Sequence, residues 1–253
     1  MEEHTKKLGA IILAAGKGKR MQSKKINKVT LPLADKPLIL HAIHVLEKMH
    51  FNAIVIVVGF AKESVKQILK NSSVFFAEQT KRLGTGHAVK AGMTKIPNDI
   101  TDVLVMQGDD SHFYQETMIN KLITAHIDAH AQLTFLTIAV ENPYGLGRVI
   151  RDVHKEVVAI IEEKDATQKQ KEVKEINPAC YIFTESFLKK YLSKIPKSPV
   201  TGEYYLTSLI DIAIKNKEKV ATMQAGFMPW RGVNTPEELQ EAEKLYKRMQ
   251  KKV

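Results

Sequence analysis

The sequence predicts an α/β fold in which helices cover both faces of a parallel sheet. Two observations support this prediction. Short apolar runs alternate four times with segments of helical periodicity. Strands made of uninterrupted apolar residues are typical of sheets that are buried on both faces. A loop rich in Gly and Lys follows the first run, at the strand end where open α/β sheets bind ligands. The 253 residues, 44% of them apolar, are enough for a sizeable core.

The first half of the chain consists of four strand-then-helix units. The first is a strand at 8–15 and, after the loop, an amphipathic helix at 38–49. The other three units are 53–58 with 63–69, 74–77 with 86–93, and 102–106 with 117–129. Because parallel strands need a crossover connection, which is usually a helix, these units predict neighbouring parallel strands.

The pattern loosens after a further strand at 133–140. Residues 147–151 and 157–162 are typical of a β-ribbon, and a charged stretch at 164–175 follows. The remaining predicted elements are a strand at 179–184, helices near 188–192 and at 204–214, a strand at 220–223 and an amphipathic helix at 236–249. Thr235 before Pro236 predicts the N-cap of that last helix. The sequence has no low-complexity linker, so we expect one domain with a lobed edge.

Composition excludes several classes of protein. The longest apolar runs, at 10–15 and 53–58, are far shorter than the ~20 residues that span a bilayer, so no membrane protein is expected. Cys180 has no partner for an internal disulfide and the chain opens without a secretory signal, which favours the cytoplasm. The net charge is +10, but only six of the 38 basic residues are Arg. A small polyanionic metabolite is therefore favoured over nucleic acid.

The sharpest local motif is the loop Leu-Ala-Ala-Gly-Lys-Gly-Lys-Arg-Met at 13–21. Its small residues would let backbone N–H groups close on phosphate oxygens, and Lys17, Lys19, Arg20 and the later Lys28 add positive charge. Because position 21 is Met, the dinucleotide-binding pattern G-x-G-x-x-G is broken, and no Gly-Lys-Ser/Thr ending makes it a Walker loop. On these residues alone, a solvated basic turn stays open as the alternative.

Together with later motifs, this loop resembles the signature of the sugar-nucleotide pyrophosphorylases, and most of all the N-terminal uridylyltransferase domain of the bacterial UDP-N-acetylglucosamine pyrophosphorylases. The motifs follow in order at 13–21, 28, 31–37, 79, 83–88, 108–109, 144–149, 162–167, 175–177, 203–207 and 232–234. The resemblance covers about residues 8 to 240. It implies a Rossmann-like, mostly parallel sheet of the nucleotide-diphospho-sugar transferase type, with a β-ribbon elaboration on the sugar side.

The resemblance also divides the chain, all of which (1–253) we expect to form one nucleotidyltransferase domain. Residues 1–130 would form a nucleotide-binding half, 131–234 a sugar-binding half and 235–253 a C-terminal helix. In the first half it implies nucleotide contacts at Leu13, Ala14, Ala15, Gly16, Gly18, Gln79, Gly84 and Thr85. A Gln amide with backbone groups can complement the two carbonyls and one N–H of a uracil edge.

For the phosphates, the resemblance implies catalytic roles for Arg20, Lys28 and Asp109. Asp109 and Asn234 would hold Mg²⁺, which typically takes one or two carboxylates together with substrate and water oxygens. Either residue alone could merely cap a turn, and their joint presence favours the metal site. For the sugar, the resemblance implies contacts at Gly147, Glu162, Asn177 and Thr207.

The expected activity is that of a Mg²⁺-dependent nucleotidyltransferase. It would make a UDP-sugar and pyrophosphate from UTP and a sugar 1-phosphate, most simply N-acetylglucosamine 1-phosphate. Open alternatives are thymidylyl or cytidylyl transfer to another sugar 1-phosphate or to phosphocholine, and a regulator that binds a nucleotide without turnover. Small molecules are the expected partners, with neither nucleic acid nor membrane among them.

Several residues depart from the pattern of the family. Lys19 replaces a common Thr, Asn27 stands where the family has Pro with one extra residue before Lys28, Gln107 replaces a Tyr, and changes also fall at 110–112 and 178–179. Asp110 or His112 could therefore add a metal contact. The chain ends at Val253 without hexapeptide repeats, so we expect no acetyltransferase activity and no trimer contacts from a β-helix.

The remaining candidates have ordinary explanations. The paired histidines at 126 and 130, and those at 41 and 44, lie one helical turn apart without the Glu of H-E-x-x-H, which indicates solvated helix faces rather than zinc sites. Cys180 follows an Ala and precedes three apolar residues, so we expect a buried small hydrophobe.

Overall fold

A computed structural model of the chain describes residues 6–21, 25–228, 230 and 232–250, and within them helices cover both faces of a ten-stranded sheet. The strands are β1 (Leu8–Ala14), β2 (Pro32–Leu33), β3 (Lys36–Pro37), β4 (Ala53–Val58), β5 (Phe75–Glu78), β6 (Asp102–Gln107), β7 (Leu133–Ala139), β8 (Arg148–Arg151), β9 (Val157–Ile161), β10 (Glu175–Ile176), β11 (Cys180–Thr184) and β12 (Val220–Phe227). The α-helices are α1 (Leu38–Lys48), α2 (Lys62–Ile68), α3 (Thr85–Met93), α4 (Glu116–Asp128), α5 (Gln168–Lys171), α6 (Glu185–Tyr191), α7 (Ser208–Lys215) and α8 (Pro236–Gln250).

The large sheet has the order β5-β4-β1-β6-β11-β7-β10-β8-β9, with β12 beside β7. Strands β5, β4, β1 and β6 are parallel, whereas β11 runs antiparallel between β6 and β7. In the described sheet only β9, β10 and β11 oppose the common direction. The predicted fold, a mostly parallel α/β sheet flanked by helices, is confirmed. Strands β8 and β9 form the predicted ribbon.

The register of the central strands brings three loops together. Ala14 at the end of β1 is opposite Val58, and Leu13 is opposite Gln107, so β4, β1 and β6 end at the same edge. The glycines that follow β4 and β6 permit close contact there. A Cβ on Gly59 would lie 2.9 Å from the carbonyl oxygen of Ala15, and one on Gly108 would lie 3.1 Å from that of Leu13.

Each face of the sheet has its own apolar core. In β1, Ile12 packs with α1, α4 and α8, whereas Ile11 packs on the opposite face with α3, α6 and α7. Both isoleucines are fully buried, and each contributes about 1.5–3 kcal/mol by leaving water. The two cores hold β1 and β6 rigidly, and the loops at their carboxyl ends therefore start from fixed points.

Most element bounds agree with the prediction, and the differences have local causes. The helix predicted at 204–214 begins only at Ser208, because the backbone of Tyr204 pairs elsewhere. Its N–H donates to the carbonyl of Leu83 and its carbonyl accepts from Gly86, each over 2.8 Å. The charged stretch at 164–175 contains α5, whose start is fixed by a capping box between Thr167 and Gln170.

The prediction that the paired histidines lie on solvated faces is wrong for one member of each pair. His126 is 1% exposed: its Nε2 lies 3.0 Å from Asp102 Oδ1 and its Nδ1 lies 2.8 Å from Thr134 Oγ1. His41 is also buried and packs against the ring of Tyr246. Periodicity placed these positions on helix faces but could not show which residues of the sheet and of α8 cover them.

Other predictions about individual residues are confirmed. Cys180 is fully buried. The hydroxyl of Thr235 accepts from the backbone N–H of Glu238, whose carboxylate accepts from the N–H of Thr235, so α8 begins with a reciprocal cap. Of the helices that the structure describes, none is both long and apolar enough to cross a membrane.

Candidate active site

A cleft of about 630 Å³ opens at the carboxyl edge of β1, β4 and β6. It brings together all eight residues predicted to contact the nucleotide and the four predicted to act on phosphate or metal. These residues are Leu13, Ala14, Ala15, Gly16, Gly18, Gln79, Gly84, Thr85, Arg20, Lys28, Asp109 and Asn234. The cleft is also lined by Lys17, Asn27, Val29, Arg82, Ala88, Gln107 and Glu203. The side chain of Lys19 lies outside the described part of the chain.

Asn27 organises the loop that follows β1. Its side-chain amide donates to the carbonyl oxygens of Ala14 and Phe60, each over 2.8 Å. Its Oδ1 accepts from the N–H of Val29 over 3.1 Å and so caps the short helical turn that carries Lys28. Asn27 is only 1% exposed. One buried amide thus joins the phosphate-side loop to the turn with the cationic side chain, a role that the sequence did not reveal.

Lys28 lies among three oxygen atoms from distant parts of the chain. Its ammonium makes an ion pair with Asp109 and donates to the carbonyl oxygen of Val233 over 2.5 Å and to Asn234 Oδ1 over 3.3 Å. Burial lowers the pKa of Lys28, but the carboxylates of Asp109 and Asp110 outweigh burial and raise that pKa above its ordinary value. The ammonium is therefore charged at neutral pH.

The segment around Asn234 is also fastened from its backbone. The N–H of Val233 donates to Asp110 Oδ1 over 2.9 Å, and the N–H of Asn234 donates to the carboxylate of Glu238 over 2.8 Å. Burial and the neighbouring Asp109 raise the pKa of Asp110 to about 7. In either protonation state, Asp110 keeps an oxygen that can accept from Val233.

The opposite end of the cleft is built from Gln79, which follows β5, and from the start of α3. Gln79 is 5% exposed, and its Nε2 donates to the carbonyl of Gly84 over 3.0 Å and lies 3.0 Å from His87 Nδ1. Gly84 has φ of +101°, and a Cβ there would lie 2.6 Å from the carbonyl oxygen of Tyr204, so only glycine fits. Thr85 Oγ1 accepts from the N–H of Leu206 over 2.9 Å.

The residues predicted to contact the sugar lie outside the lining of the large cleft. The carbonyl of Gly147 accepts from the N–H of Asn177 over 3.2 Å, and a Cβ on Gly147 would lie 3.6 Å from Glu162 Oε2, so these three are neighbours. Glu162 and Thr207 line a separate cavity of about 230 Å³. Burial and the neighbouring Asp165 raise the pKa of Glu162 above its ordinary value.

Two further residues of the sequence analysis have clear positions. His112 faces away from the cleft: it is 5% exposed and packs against the rings of Phe113 and Tyr246, so the expected metal contact at this residue is wrong. Arg82 lines the cleft between Gln79 and Gly84. Arg82 falls between the motif positions 79 and 83–88, and the sequence analysis assigned it no role.

Comparisons with known proteins show the family of the chain. A family model described as nucleotidyl transferase matches residues 9–249. The bifunctional protein GlmU of Caldicellulosiruptor saccharolyticus is 42% identical over 246 residues, which are 96% of this chain and 52% of that protein. GlmU of Hydrogenovibrio crunogenus is 40% identical over 94% of this chain and 52% of that protein. The chain thus spans about half the length of the curated relatives it matches.

Solved structures share the fold at lower sequence identity. A Bacillus anthracis protein described as a glucose-1-phosphate thymidylyltransferase superposes with a TM-score of 0.78 at 21% identity, over 94% of this chain and 95% of that one. A UDP-glucose pyrophosphorylase superposes with a TM-score of 0.76 at 21% identity, over 96% of this chain and 99% of that one.

Proposed function

The chain belongs to the nucleotidyl transferase family, and from that premise we propose that it transfers the uridylyl group of UTP to N-acetylglucosamine 1-phosphate. The observation that carries the proposal is the convergence of Lys28, Asp109 and Asn234 at one end of a cleft whose other end holds Gln79 and Gly84. The first end has groups complementary to a triphosphate with its cation, and the other end has groups complementary to a base.

The reaction needs little acid or base catalysis. An oxygen of the sugar phosphate, already anionic near neutral pH, would attack the α-phosphorus of UTP. A new P–O bond forms, the bond between the α-phosphorus and the bridging oxygen breaks, and pyrophosphate leaves with that oxygen. The protein therefore has to align two polyanions and neutralise their charge. Arg20 and Lys28 are the cationic residues that we assign to this task.

The residues at the Lys28 end also fit a divalent cation. The ammonium of Lys28 already lies among three hard oxygens, those of the Asp109 carboxylate, the Asn234 amide and the Val233 carbonyl. Such oxygens are the ligands that Mg²⁺ takes, with substrate and water completing its shell. We assign Asp109 and Asn234 as the residues that would hold it. When bound, Mg²⁺ supplies positive charge that neutralises the nucleotide phosphates.

Among the residues that the structure describes, no three His, Cys, Asp or Glu side chains form a group that could hold a metal ion by themselves. A site that uses one carboxylate needs the phosphates of the substrate to complete it. Asp109 and Asn234 would hold the metal, and the ammonium of Lys28, which contacts both in the structure, would be available to the phosphates.

At the other end of the cleft, we assign the base to Gln79, with Gly84 and Thr85 beside it. Because Gln79 Nε2 donates to the carbonyl of Gly84, its amide oxygen is the atom left to accept a hydrogen bond. Uracil and thymine carry an N–H at position 3, whereas cytosine carries an acceptor there. An acceptor oxygen on Gln79 therefore favours uridylyl or thymidylyl transfer over cytidylyl transfer.

The remaining assignments follow the proposed division of the chain into a nucleotide half (1–130), a sugar half (131–234) and the helix from 235. Leu13, Ala14, Ala15, Gly16 and Gly18 would approach the nucleotide through their backbone. Gly147, Glu162, Asn177 and Thr207 would contact the sugar. The proximity of Gly147, Glu162 and Asn177 to one another supports a common ligand for them.

A pyrophosphate-release assay tests the proposal. Four nucleoside triphosphates are crossed with the 1-phosphates of glucose, glucosamine and N-acetylglucosamine, in the presence of Mg²⁺ and with chelator as a control. We expect release with UTP and N-acetylglucosamine 1-phosphate, lost on chelation. Faster release with dTTP, CTP or another acceptor, with phosphocholine as a further arm, would reassign the substrate. Tight UTP binding without release in any arm would indicate a non-catalytic regulator.

A further inference from the structure

Asp110 is a half-buried carboxylate that none of the proposed roles uses. It follows Asp109 directly in the loop after β6, and its Oδ1 accepts from the N–H of Val233 over 2.9 Å. A Cβ on Gly232 would lie 3.4 Å from Asp110 Oδ2, so the backbone of the 232–234 segment lies against this carboxylate.

The contact of Asp110 differs from the other contacts that hold this segment. Glu238 accepts from the N–H groups of Asn234 and Thr235 and so starts α8. Lys28 donates to the carbonyl of Val233 and to the side chain of Asn234 from the short helical turn at 28–30. Asp110 alone among these residues is adjacent in the chain to Asp109. The contact of Asp110 with Val233 therefore joins the 232–234 segment directly to the loop that carries Asp109.

We propose that Asp110 is a positioning residue that fixes the side chain of Asn234 opposite Asp109 through the backbone of Val233. The inference rests on the proposed function, which makes Asp109 and Asn234 the pair that holds a divalent cation. A neutral side chain at position 110 would suffice for this role, because the N–H of Val233 requires only an acceptor oxygen within hydrogen-bond distance. Residues that orient metal ligands typically change metal affinity 10–100-fold when they are replaced.

Binding of Mn²⁺ to the full chain, followed by its paramagnetic resonance signal, measures this role without turnover. Asp110→Ala removes the acceptor and should weaken Mn²⁺ binding about 10-fold or more. Asp110→Asn keeps an oxygen for Val233 and should restore binding to within about threefold of the wild type. Asp128→Ala, which removes an exposed carboxylate at the end of α4, should leave binding unchanged. Thermal melting checks that each variant is folded.

A double-mutant cycle separates positioning from a general loss of structure. If Asp110 acts through Asn234, then Asp110→Ala should add little to the loss of Mn²⁺ affinity already caused by Asn234→Ala. Additive losses would overturn the proposal, as would unchanged binding by Asp110→Ala. Equal weakness of Asp110→Asn and Asp110→Ala would show that the charge itself is needed, which also overturns positioning.

The proposed function can fail separately. If the wild-type chain binds Mn²⁺ with this pattern of variants but releases no pyrophosphate from any substrate pair, the role of Asp110 stands and the proposed reaction is wrong. If the folded wild-type chain binds no Mn²⁺, the assignment of Asp109 and Asn234 is wrong, and the role of Asp110 falls with it.

Discussion

The ammonium of Lys28 and the carboxylate of Asp109 form an ion pair inside the cleft, where both side chains are more than four-fifths buried. Asp109 is also a proposed ligand of the divalent cation. The two cations, one fixed to the chain and one expected from solution, therefore require the same carboxylate. In the structure, the ammonium of Lys28 lies against this carboxylate.

Replacing Lys28 by Met should therefore change two measurements in opposite directions. Turnover of UTP should fall on the order of a hundredfold or more, since a preorganised electrostatic contact to the transition state contributes roughly 3–4 kcal/mol. Binding of Mn²⁺ to the nucleotide-free chain should become tighter, because Asp109 and Asn234 lose their competing cation. Pyrophosphate release and Mn²⁺ titration measure the two effects. Unchanged turnover would remove Lys28 from the proposed mechanism.

Lys121→Met is the control for Lys28→Met, because it removes an exposed lysine of α4. A buried cation such as Arg148 would not serve as a control. Lys121→Met should match the wild type in both assays. Weaker Mn²⁺ binding by Lys28→Met would contradict competition between the ammonium and the metal, even if turnover were lost.

Asn27 supports a second prediction, about the loop after β1. Asn27→Ala deletes the donors to the carbonyls of Ala14 and Phe60 and the cap on Val29. Leaving buried polar groups unpaired costs about 1–3 kcal/mol each, so the free energy of unfolding should fall by about 2–4 kcal/mol. Because the loop and Lys28 then lose their common anchor, the KM for UTP should rise. Urea denaturation and a UTP titration of the rate measure both effects.

Asn27→Asp provides the matched comparison. A carboxylate can still accept from Val29, but it cannot donate to the two carbonyls. We therefore expect the cap to be kept and the loop contacts to be lost, with an increase in KM similar to that of Asn27→Ala. A KM equal to the wild-type value in both variants would show that the amide does not position the loop.

The sequence was sufficient to predict the central strands from their local patterns, and the resemblance to a known family implied which residues line the cleft. Apolar runs mark β1, β4 and β6, and residues that follow them must meet at one edge of a parallel sheet. In the sequence, Asn27 was notable only because the family has Pro at this position. Its φ of −75° is an angle that Pro also adopts, so the backbone is compatible with either residue. The hydrogen bonds of its side chain are visible only in the structure.

Contacts between residues that lie far apart in the chain could not be predicted from the sequence. His126 has a helical spacing that is also typical of exposed faces, and nothing near it indicates that Asp102 and Thr134 lie beneath it. Likewise, the contact between Asp110 and Val233 depends on how the segment before α8 returns to β6. The extra residue before Lys28 lies in a stretch that includes positions 22–24, which are outside the described part of the chain.

A third prediction concerns Gln79 at the base end of the cleft. Gln79→Glu keeps the size of the side chain but removes the donor to the Gly84 carbonyl and adds a negative charge. The Glu side chain keeps an acceptor oxygen for the base but loses the hydrogen bond that orients it. We expect kcat/KM for UTP to fall at least tenfold, and thermal stability to fall as well, because the part-buried carbonyl of Gly84 loses its donor. Gln132→Glu, remote from the cleft, is the control. An unchanged kcat/KM would remove Gln79 from base recognition.

The buried pair of Asp102 and His126 gives a prediction about stability and pH. Burial raises the pKa of Asp102, but hydrogen bonds from His126, Thr101 and Lys6 outweigh burial and hold that pKa below its ordinary value of 3.8. A carboxyl whose pKa is lower in the folded chain stabilises the fold above pH 3.8. This contribution should be lost progressively as the pH falls below 3.8, since the unfolded chain then binds a proton at this carboxyl more readily than the folded chain does.

Asp102→Asn tests this contribution, because it keeps the shape of the side chain and removes its charge. A hydrogen bond to a charged group is worth about 1.5–3 kcal/mol, so the variant should lose roughly that much free energy of unfolding at pH 6. Urea denaturation between pH 3 and pH 7 should show the gap between wild type and variant narrowing below pH 3.8. Asp128→Asn, which removes an exposed carboxylate, should stay within about 0.5 kcal/mol of the wild type at pH 6. A gap that is constant down to pH 3 would mean that the Asp102 charge does not stabilise the fold.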